Sequence, residues 1–140
     1  MTEDFEKAWA EVEKAWSRVE GYAEFRAWFE RTPSFHDATI TSMSVEFGRV
    51  RFTFQTFRML PETDERGYFK LDKHAEASLI LTEIIECDLN FDEHDRIVSL
   101  LQVQEDGDAI LVSIEGISGL EATIKARHAR LEFTPGPASD

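Results

Sequence analysis

The chain has a single cysteine, Cys87, so it forms no internal disulfide, and this favours a reducing compartment over an oxidising one. It also lacks an apolar run of about 18 residues, the length that a membrane-spanning helix needs. The first ten residues hold three acids and no apolar run, so we expect no signal peptide. These absences predict a cytoplasmic protein.

Basic residues are scarce. Fifteen Lys and Arg stand against 28 Asp and Glu, which gives a formal net charge of −13. A surface of this sign repels the phosphates of nucleic acids and of anionic membranes, so we expect neither as a partner. It attracts basic proteins and accelerates their encounter at low salt. The charge balance therefore favours a cationic protein partner.

The common catalytic and cofactor signatures are missing as well. The chain has no Gly-x-Ser-x-Gly elbow, no phosphate-binding Gly-x-x-x-x-Gly-Lys and no dinucleotide fingerprint. Cys87 lies between Glu86 and Asp88, whose negative charges disfavour a reactive thiolate. No His-x-x-x-His or Cys-x-x-Cys pair marks a metal site. We predict a non-enzymatic protein that needs neither cofactor nor metal.

The N-terminal part of the chain predicts two helices. Its apolar residues recur at intervals of three and four within residues 1–31, which is typical of amphipathic helices. We expect Gly21 to end the first helix, and the second to stop before Pro33. The apolar stripe of the first helix is predicted to pack against a sheet. Its members are Phe5, Ala8, Trp9, Val12, Ala15, Trp16 and Val19.

Residues 36–134 predict mainly antiparallel strands, because apolar and polar residues alternate there. Gly48-Arg49 and Asp106-Gly107 predict hairpin turns, and a change of parity near Arg127-His128 predicts a bulge in the last strand. Two stretches lack a clear strand pattern: residues 60–73, predicted as a polar loop, and residues 84–91, predicted as an irregular segment.

The predicted fold class is therefore α+β. Two N-terminal helices are expected to pack on an antiparallel sheet of about six strands. We predict one domain over residues 1–134 and a flexible tail over residues 135–140.

Most of the excess negative charge lies in residues 83–108, which hold nine acids and one base. Acidic side chains can mimic phosphate and steer association, so these acids are the candidate contacts for a basic partner. The alternative is that they only keep a sheet edge soluble, and that residues 92–95 form a solvated turn. The candidates are Glu83, Glu86, Asp88, Asp92, Glu93, Asp95, Glu105, Asp106 and Asp108.

The motif Pro33-Ser34-Phe35-His36-Asp37 lies where the helical period gives way to alternation. His36 and Asp37 have side chains that bind metals or small molecules, which is one alternative function. Their structural interpretation is a buried turn in which Asp37 accepts backbone N–H groups and His36 donates to a carbonyl. A further alternative is a module that associates with copies of itself through an exposed strand edge.

The run Pro33-Ser34-Phe35-His36-Asp37-Ala38 resembles the immunity protein 50 family of bacteria. Two further segments add to the resemblance, Leu89-Asn90-Phe91 before an Ile-Val-rich strand and the turn 116–119, so that it covers about residues 32–134. Members of this family are assigned to polymorphic toxin systems, in which the immunity protein binds and neutralises a toxin. The resemblance implies a binding protein for a basic toxin domain, with no catalytic residues.

Overall fold

A computed structural model describes residues 2–90, 92 and 94–136 of the chain. The two helices come first and the six strands follow, so the predicted α+β fold class is confirmed. The elements are α1 (Thr2–Ser17), α2 (Tyr22–Phe29), β1 (Thr39–Glu46), β2 (Arg49–Thr63), β3 (Phe69–Asn90), β4 (Val98–Asp106), β5 (Ala109–Gly116) and β6 (Glu121–Pro135). Neither of the helices in this part of the chain is long and apolar enough to cross a membrane.

The six strands form one antiparallel sheet in the order β1-β2-β3-β6-β5-β4. Both predicted hairpins are present, but their turns are Phe47-Gly48 and Gly107-Asp108, one residue from the predicted pairs, with positive φ at Gly48 and Gly107. At one end of the sheet the outermost strands meet, because Thr39 and Ile97 form an antiparallel bridge. Next to it the N–H of Val98 donates to the carbonyl of Ala38 at 2.9 Å. The sheet is therefore curled, and it encloses a core on its concave side.

Aromatic rings from both helices fill this concave side. Phe25 of α2 packs edge-on against Phe133 of β6, with ring centroids 4.9 Å apart. Phe35, from the motif, lies 5.3 Å from Phe54 of β2 and 6.0 Å from Trp16 of α1. The motif thus supplies a ring that connects α1 to the sheet.

Only the last turns of α1 pack as the sequence predicts. Trp16, in the last turn of α1, and Val19, just after the helix, are buried, whereas Phe5, Trp9 and Val12 are 71%, 48% and 39% exposed. Every residue from 4 to 12 is exposed, so the first turns of α1 lie outside the core. The prediction that the whole stripe packs against the sheet is therefore wrong for these turns. Their apolar face is left uncovered.

The predicted end of α1 at Gly21 is also wrong, since α1 ends at Ser17 and Gly21 directly precedes α2. The connection between the helices runs against β6. The N–H of Glu20 donates to the carbonyl of Ala129 at 2.9 Å, and the N–H of Leu131 donates to the carbonyl of Glu20 at 2.7 Å. Gly21, with φ +87°, is needed where the chain leaves this contact, because a Cβ there would lie 2.2 Å from the carbonyl oxygen of Leu131.

The polar loop predicted for residues 60–73 is mostly strand. β2 continues to Thr63 and β3 begins at Phe69, so only residues 64–68 form the turn. An ion pair supports this long hairpin: the guanidinium of Arg58 donates to both carboxylate oxygens of Asp72, at 2.8 and 2.6 Å. Residues 61–63 lack the alternation by which strands are recognised, whereas the alternation of Phe69-Lys70-Leu71-Asp72 is a strand signal that the prediction overlooked.

The irregular segment predicted for residues 84–91 is wrong for residues 84–90, and Phe91 lies outside the described residues. β3 continues to Asn90 and pairs with β6. The apolar pattern is interrupted by a bulge, since the register shifts between Ile84 and Glu86. Glu83, just before it, has φ +55°.

The predicted change of face in the last strand is present opposite this bulge. Arg127 and His128 are both exposed, between buried Ala126 and Ala129. The register shift between these two strands lies in β3, however, and not at the predicted position in β6.

The flexible tail predicted from residue 135 is wrong for its first two residues. Pro135 pairs with Ala75, and the N–H of Gly136 donates to the carbonyl of His74 at 2.7 Å. Residues 137–140 lie outside the described residues.

Candidate functional site

Four carboxylates lie on the outer face of the sheet, where β3, β6 and β5 run side by side. Directly paired residues of antiparallel strands point to the same side of a sheet. The register pairs Asp88 with Thr123 and, on the other side of β6, Glu115 with Glu121. Glu121 and Thr123 are exposed, while Ala122 between them is buried, so this side faces solvent.

Glu86 belongs to the same surface, because it pairs with Lys125, the next outward residue of β6. We define the acidic face as Glu86, Asp88, Glu115 and Glu121. Lys125 is the base among them, and its ammonium group lies 3.1 Å from the carboxylate of Asp106. The acidic face therefore keeps a strong excess of negative charge.

Glu115 and Glu121 stand directly opposite one another on neighbouring strands. Like charges in this position destabilise a sheet, so the pair opposes folding slightly. A cationic group placed between the two carboxylates would relieve their repulsion. The pair is a feature that favours binding of a positive partner.

Three of the predicted partner-binding acids already form ion pairs with Lys or Arg of this chain, and Glu83 lies beside His128, a contact that is an ion pair only when the imidazole is protonated. The distances are 3.7 Å for Glu105–Lys14, 3.1 Å for Asp106–Lys125, 2.9 Å for Asp108–Arg127 and 3.2 Å for Glu83–His128. Exposed ion pairs of this kind contribute little to stability, so a cationic partner could exchange them at small cost. Their charge is nevertheless partly neutralised, which makes them weaker candidates than the acidic face.

Asp95 is a correction to the predicted partner-binding set, because it is only 3% exposed. Its carboxylate accepts hydrogen bonds from the backbone N–H groups of Ile117, Ser118 and Leu120, at 3.2, 2.8 and 2.9 Å. These bonds, that of Leu120 foremost, hold the pKa of Asp95 below its usual value. Asp95 fixes the turn between β5 and β6 and is not available to a partner.

The solvated turn predicted for residues 92–95 is thus wrong at Asp95 and holds at Asp92. Asp92 is exposed, and its carboxylate accepts the backbone N–H of His94 at 2.9 Å, an Asx turn. Glu93 lies outside the described residues.

We expect Asp95→Asn to destabilise the protein more than Asp92→Asn, since the Asn amide can keep only part of the buried hydrogen bonding. Because the folded pKa of Asp95 is lowered, its contribution is fully present above the unfolded value of about 3.9 and is lost as the pH falls through the folded value. Urea denaturation at several pH values measures this. The stability difference between the wild type and Asp95→Asn should be constant near neutral pH and shrink under acid; a difference that persists unchanged to about pH 2 contradicts it.

The motif residues His36 and Asp37 join the two edges of the sheet. The Nδ1 of His36 lies 3.0 Å from the carbonyl oxygen of Ser99, and the N–H of Asp37 donates to the carbonyl of Val98 at 2.8 Å. The predicted contact of His36 with a carbonyl is confirmed. The predicted burial is wrong, since the His36 and Asp37 side chains are 60% and 42% exposed.

The Asp37 carboxylate lies 3.6 Å from Nε2 of His36. Its predicted role as an acceptor of backbone N–H groups is not seen among the described residues. In the same part of the chain, no group of three or more His, Cys, Asp or Glu side chains is placed to hold a metal ion. The motif's observed contacts are those of a structural joint.

A groove of about 440 Å³ lies between α1 and β4. Trp9, Val12 and Trp16 form its helix side, and His36 lies at the motif end. On the strand side it is lined by the six consecutive residues 99–104. Asp37 is not among the lining residues, so the groove does not unite the His36-Asp37 pair in a small-molecule site.

Cys87 is exposed, and partial desolvation together with the charge of Asp88 raises the pKa of its thiol. This agrees with the expectation of a poor thiolate.

Sequence reasoning missed Glu115, Glu121 and the groove. Each of the two glutamates is next to a buried residue in a strand with an alternating pattern, so the sequence places its side chain on the outer face. That both lie near Asp88 depends on the strand order, which the sequence does not contain. Comparisons of the chain with protein-family models, with curated proteins and with solved structures found no match.

Proposed function

We propose that this protein is a non-enzymatic binding protein that neutralises a basic protein partner, in the manner of an immunity protein that blocks a toxin domain. The observation that carries the proposal is the acidic face, a solvent-facing part of the sheet with four carboxylates and one base. It belongs to a chain with net charge −13. The single cysteine favours the cytoplasm as the compartment in which this binding takes place.

Strands place these carboxylates on a rigid surface. Their backbone positions are set by ladders on both sides of β6, so little conformational entropy is lost when a partner binds them. Closely spaced carboxylates resemble the phosphates that a nuclease recognises, and their field accelerates the encounter with a cationic protein. Binding would therefore block a substrate site by charge mimicry.

Affinity capture from the cells in which the protein occurs tests the proposal. The immobilised chain should retain a basic protein at low salt and release it as salt rises, because the interaction is electrostatic. A matched column carrying a variant with Lys at all four positions of the acidic face should not retain it. Retention of the same protein by both columns would refute the proposed mode of binding.

Glu121→Lys is expected to change stability and binding in opposite directions. It turns the repulsive cross-strand pair with Glu115 into an attractive one, which should raise the free energy of unfolding by about 0.5–1 kcal/mol. The same change should weaken the captured partner's binding. Urea denaturation and a binding titration measure the two effects.

The control is the double variant Glu115→Lys/Glu121→Lys, which restores a like-charge pair and should return stability to near the wild-type value. If Glu121→Lys stabilises the protein and leaves partner binding unchanged, these two glutamates do not belong to the interface.

A further inference from the structure

We propose that the free edge of β4 binds an extended segment of the basic partner as an added strand, with that segment's apolar side chains in the groove between α1 and β4. The inference rests on the proposed function in requiring a basic protein partner. It adds where one segment of that partner is held and in which conformation.

Among the described residues, β4 is the last strand of the sheet, and its only strand partner is β5. The two outer strands meet at Ile97 and over the start of β4, where the N–H of Asp37 donates to the carbonyl of Val98 and His36 lies 3.0 Å from the carbonyl of Ser99, so residues 100–104 lie beyond this contact. The groove is lined by six consecutive residues, 99–104. Since successive side chains of a strand point to opposite faces, a groove that touches all six must run along the strand's edge.

This edge has little of the usual protection against pairing. Edge strands are commonly blocked by Lys, Pro or a bulge. Residues 100–104 are Leu-Leu-Gln-Val-Gln, and the register shift of β4 lies before them, between Val98 and Leu100. The stretch therefore offers backbone N–H and C=O groups to a further strand.

The length of the groove and its apolar lining fit one short strand. Six residues of a strand span about 20 Å. Trp9 and Val12 of α1 line the groove and remain 48% and 39% exposed, and Leu100 on the strand side is 39% exposed. In strand addition, backbone hydrogen bonds supply affinity and alternate side chains enter such pockets. An added strand would bury these three side chains.

Charge decides between a foreign segment and a second copy of this chain. Glu11, Lys14 and Glu105 are the charged residues of the pocket that continues the groove along α1 and β4, and because Lys14 pairs with Glu105 at 3.7 Å, this rim has an excess of one negative charge. A second copy would bring two chains of net charge −13 together at this edge, which is unfavourable at low salt. A segment with alternating apolar and basic residues suits both the apolar walls of the groove and the net negative charge of the chain.

The test uses a short synthetic peptide of alternating lysine and valine with the full-length protein, and follows amide hydrogen exchange. We expect the peptide to slow exchange of amides within residues 100–104. A glutamate–valine peptide of equal length should not bind, and neither should the lysine–valine peptide N-methylated at alternate residues, because it cannot complete the backbone pairing.

A pair of variants locates the binding site. Trp9→Ala should weaken peptide binding about 10-fold, the effect of removing a central aromatic contact. Phe47→Ala, which also removes an exposed ring but lies in the β1–β2 turn, should leave it unchanged.

Three results would overturn the inference: no binding of the lysine–valine peptide, binding without protection of β4, or equal binding of the N-methylated peptide. Protection of residues 100–104 that increases with protein concentration alone would identify a second copy as the occupant and would also overturn it. None of these results contradicts the proposed function, which is tested separately by salt-sensitive capture of the natural partner on the acidic face.

Discussion

Gly21→Ala is expected to lower the free energy of unfolding by about 3 kcal/mol. Two causes add. A non-glycine residue at φ +87° carries a conformational cost, and the new Cβ would lie 2.2 Å from the carbonyl oxygen of Leu131, a backbone atom that the β6 ladder holds in place. Either the connection between the helices or β6 must move. Urea denaturation measures the loss.

Gly48→Ala is the matched control for this prediction. Gly48 has φ +75°, and nothing lies within 4 Å of a Cβ built there, so only the conformational cost of about 1 kcal/mol applies. Equal losses for the two variants would show that the contact between the helix connection and β6 is not tight.

The double variant Glu86→Lys/Asp88→Lys is expected to weaken binding of the captured basic partner about 100-fold. A close charge pair across an interface contributes about 1.5 kcal/mol or more, and 1.4 kcal/mol corresponds to a factor of ten. Both side chains are exposed on the outer face of β3, so the fold should tolerate the change, with a small loss of stability because Glu86→Lys places a like charge opposite Lys125. Titration of the purified partner by calorimetry measures the dissociation constant.

The control variant, Glu62→Lys/Glu65→Lys, changes the net charge by the same amount. These two exposed glutamates lie at the far end of the β2–β3 hairpin, in or beside its turn. We expect it to weaken binding only a few-fold, through the overall field. Equal weakening by both variants would mean that net charge alone drives association and that the acidic face is not a specific site.

Much of the fold follows from sequence pattern. The helical spacing of Trp9, Val12 and Trp16, the alternation of Val50, Phe52 and Phe54, and the glycine turns are local signals, and local signals determine the elements. Strand order and the curling of the sheet depend on contacts between distant residues, such as the bridge between Thr39 and Ile97. A single sequence does not contain them.

The errors in the candidate site have the same origin. Asp95 looks like any acid of a polar turn, and its burial depends on backbone N–H groups more than twenty residues away. Glu115 and Glu121 become part of one surface with Asp88 only because β6 pairs with both β3 and β5. The uncovered stripe of α1 has the periodicity of a packed helix, since periodicity shows that a face is apolar and not what covers it.

The most direct test of the account is the salt dependence of the dissociation constant for the captured partner. Between about 10 mM and about 1 M salt the screening length falls from about 30 Å to about 3 Å, so contacts between opposite charges on the surface lose most of their strength. A complex held by the acidic face should weaken steeply over this range, and the variant with Lys at its four positions should show little dependence. An affinity that stays constant from low to high salt would contradict the claim that this protein acts by presenting negative charge to a positive partner.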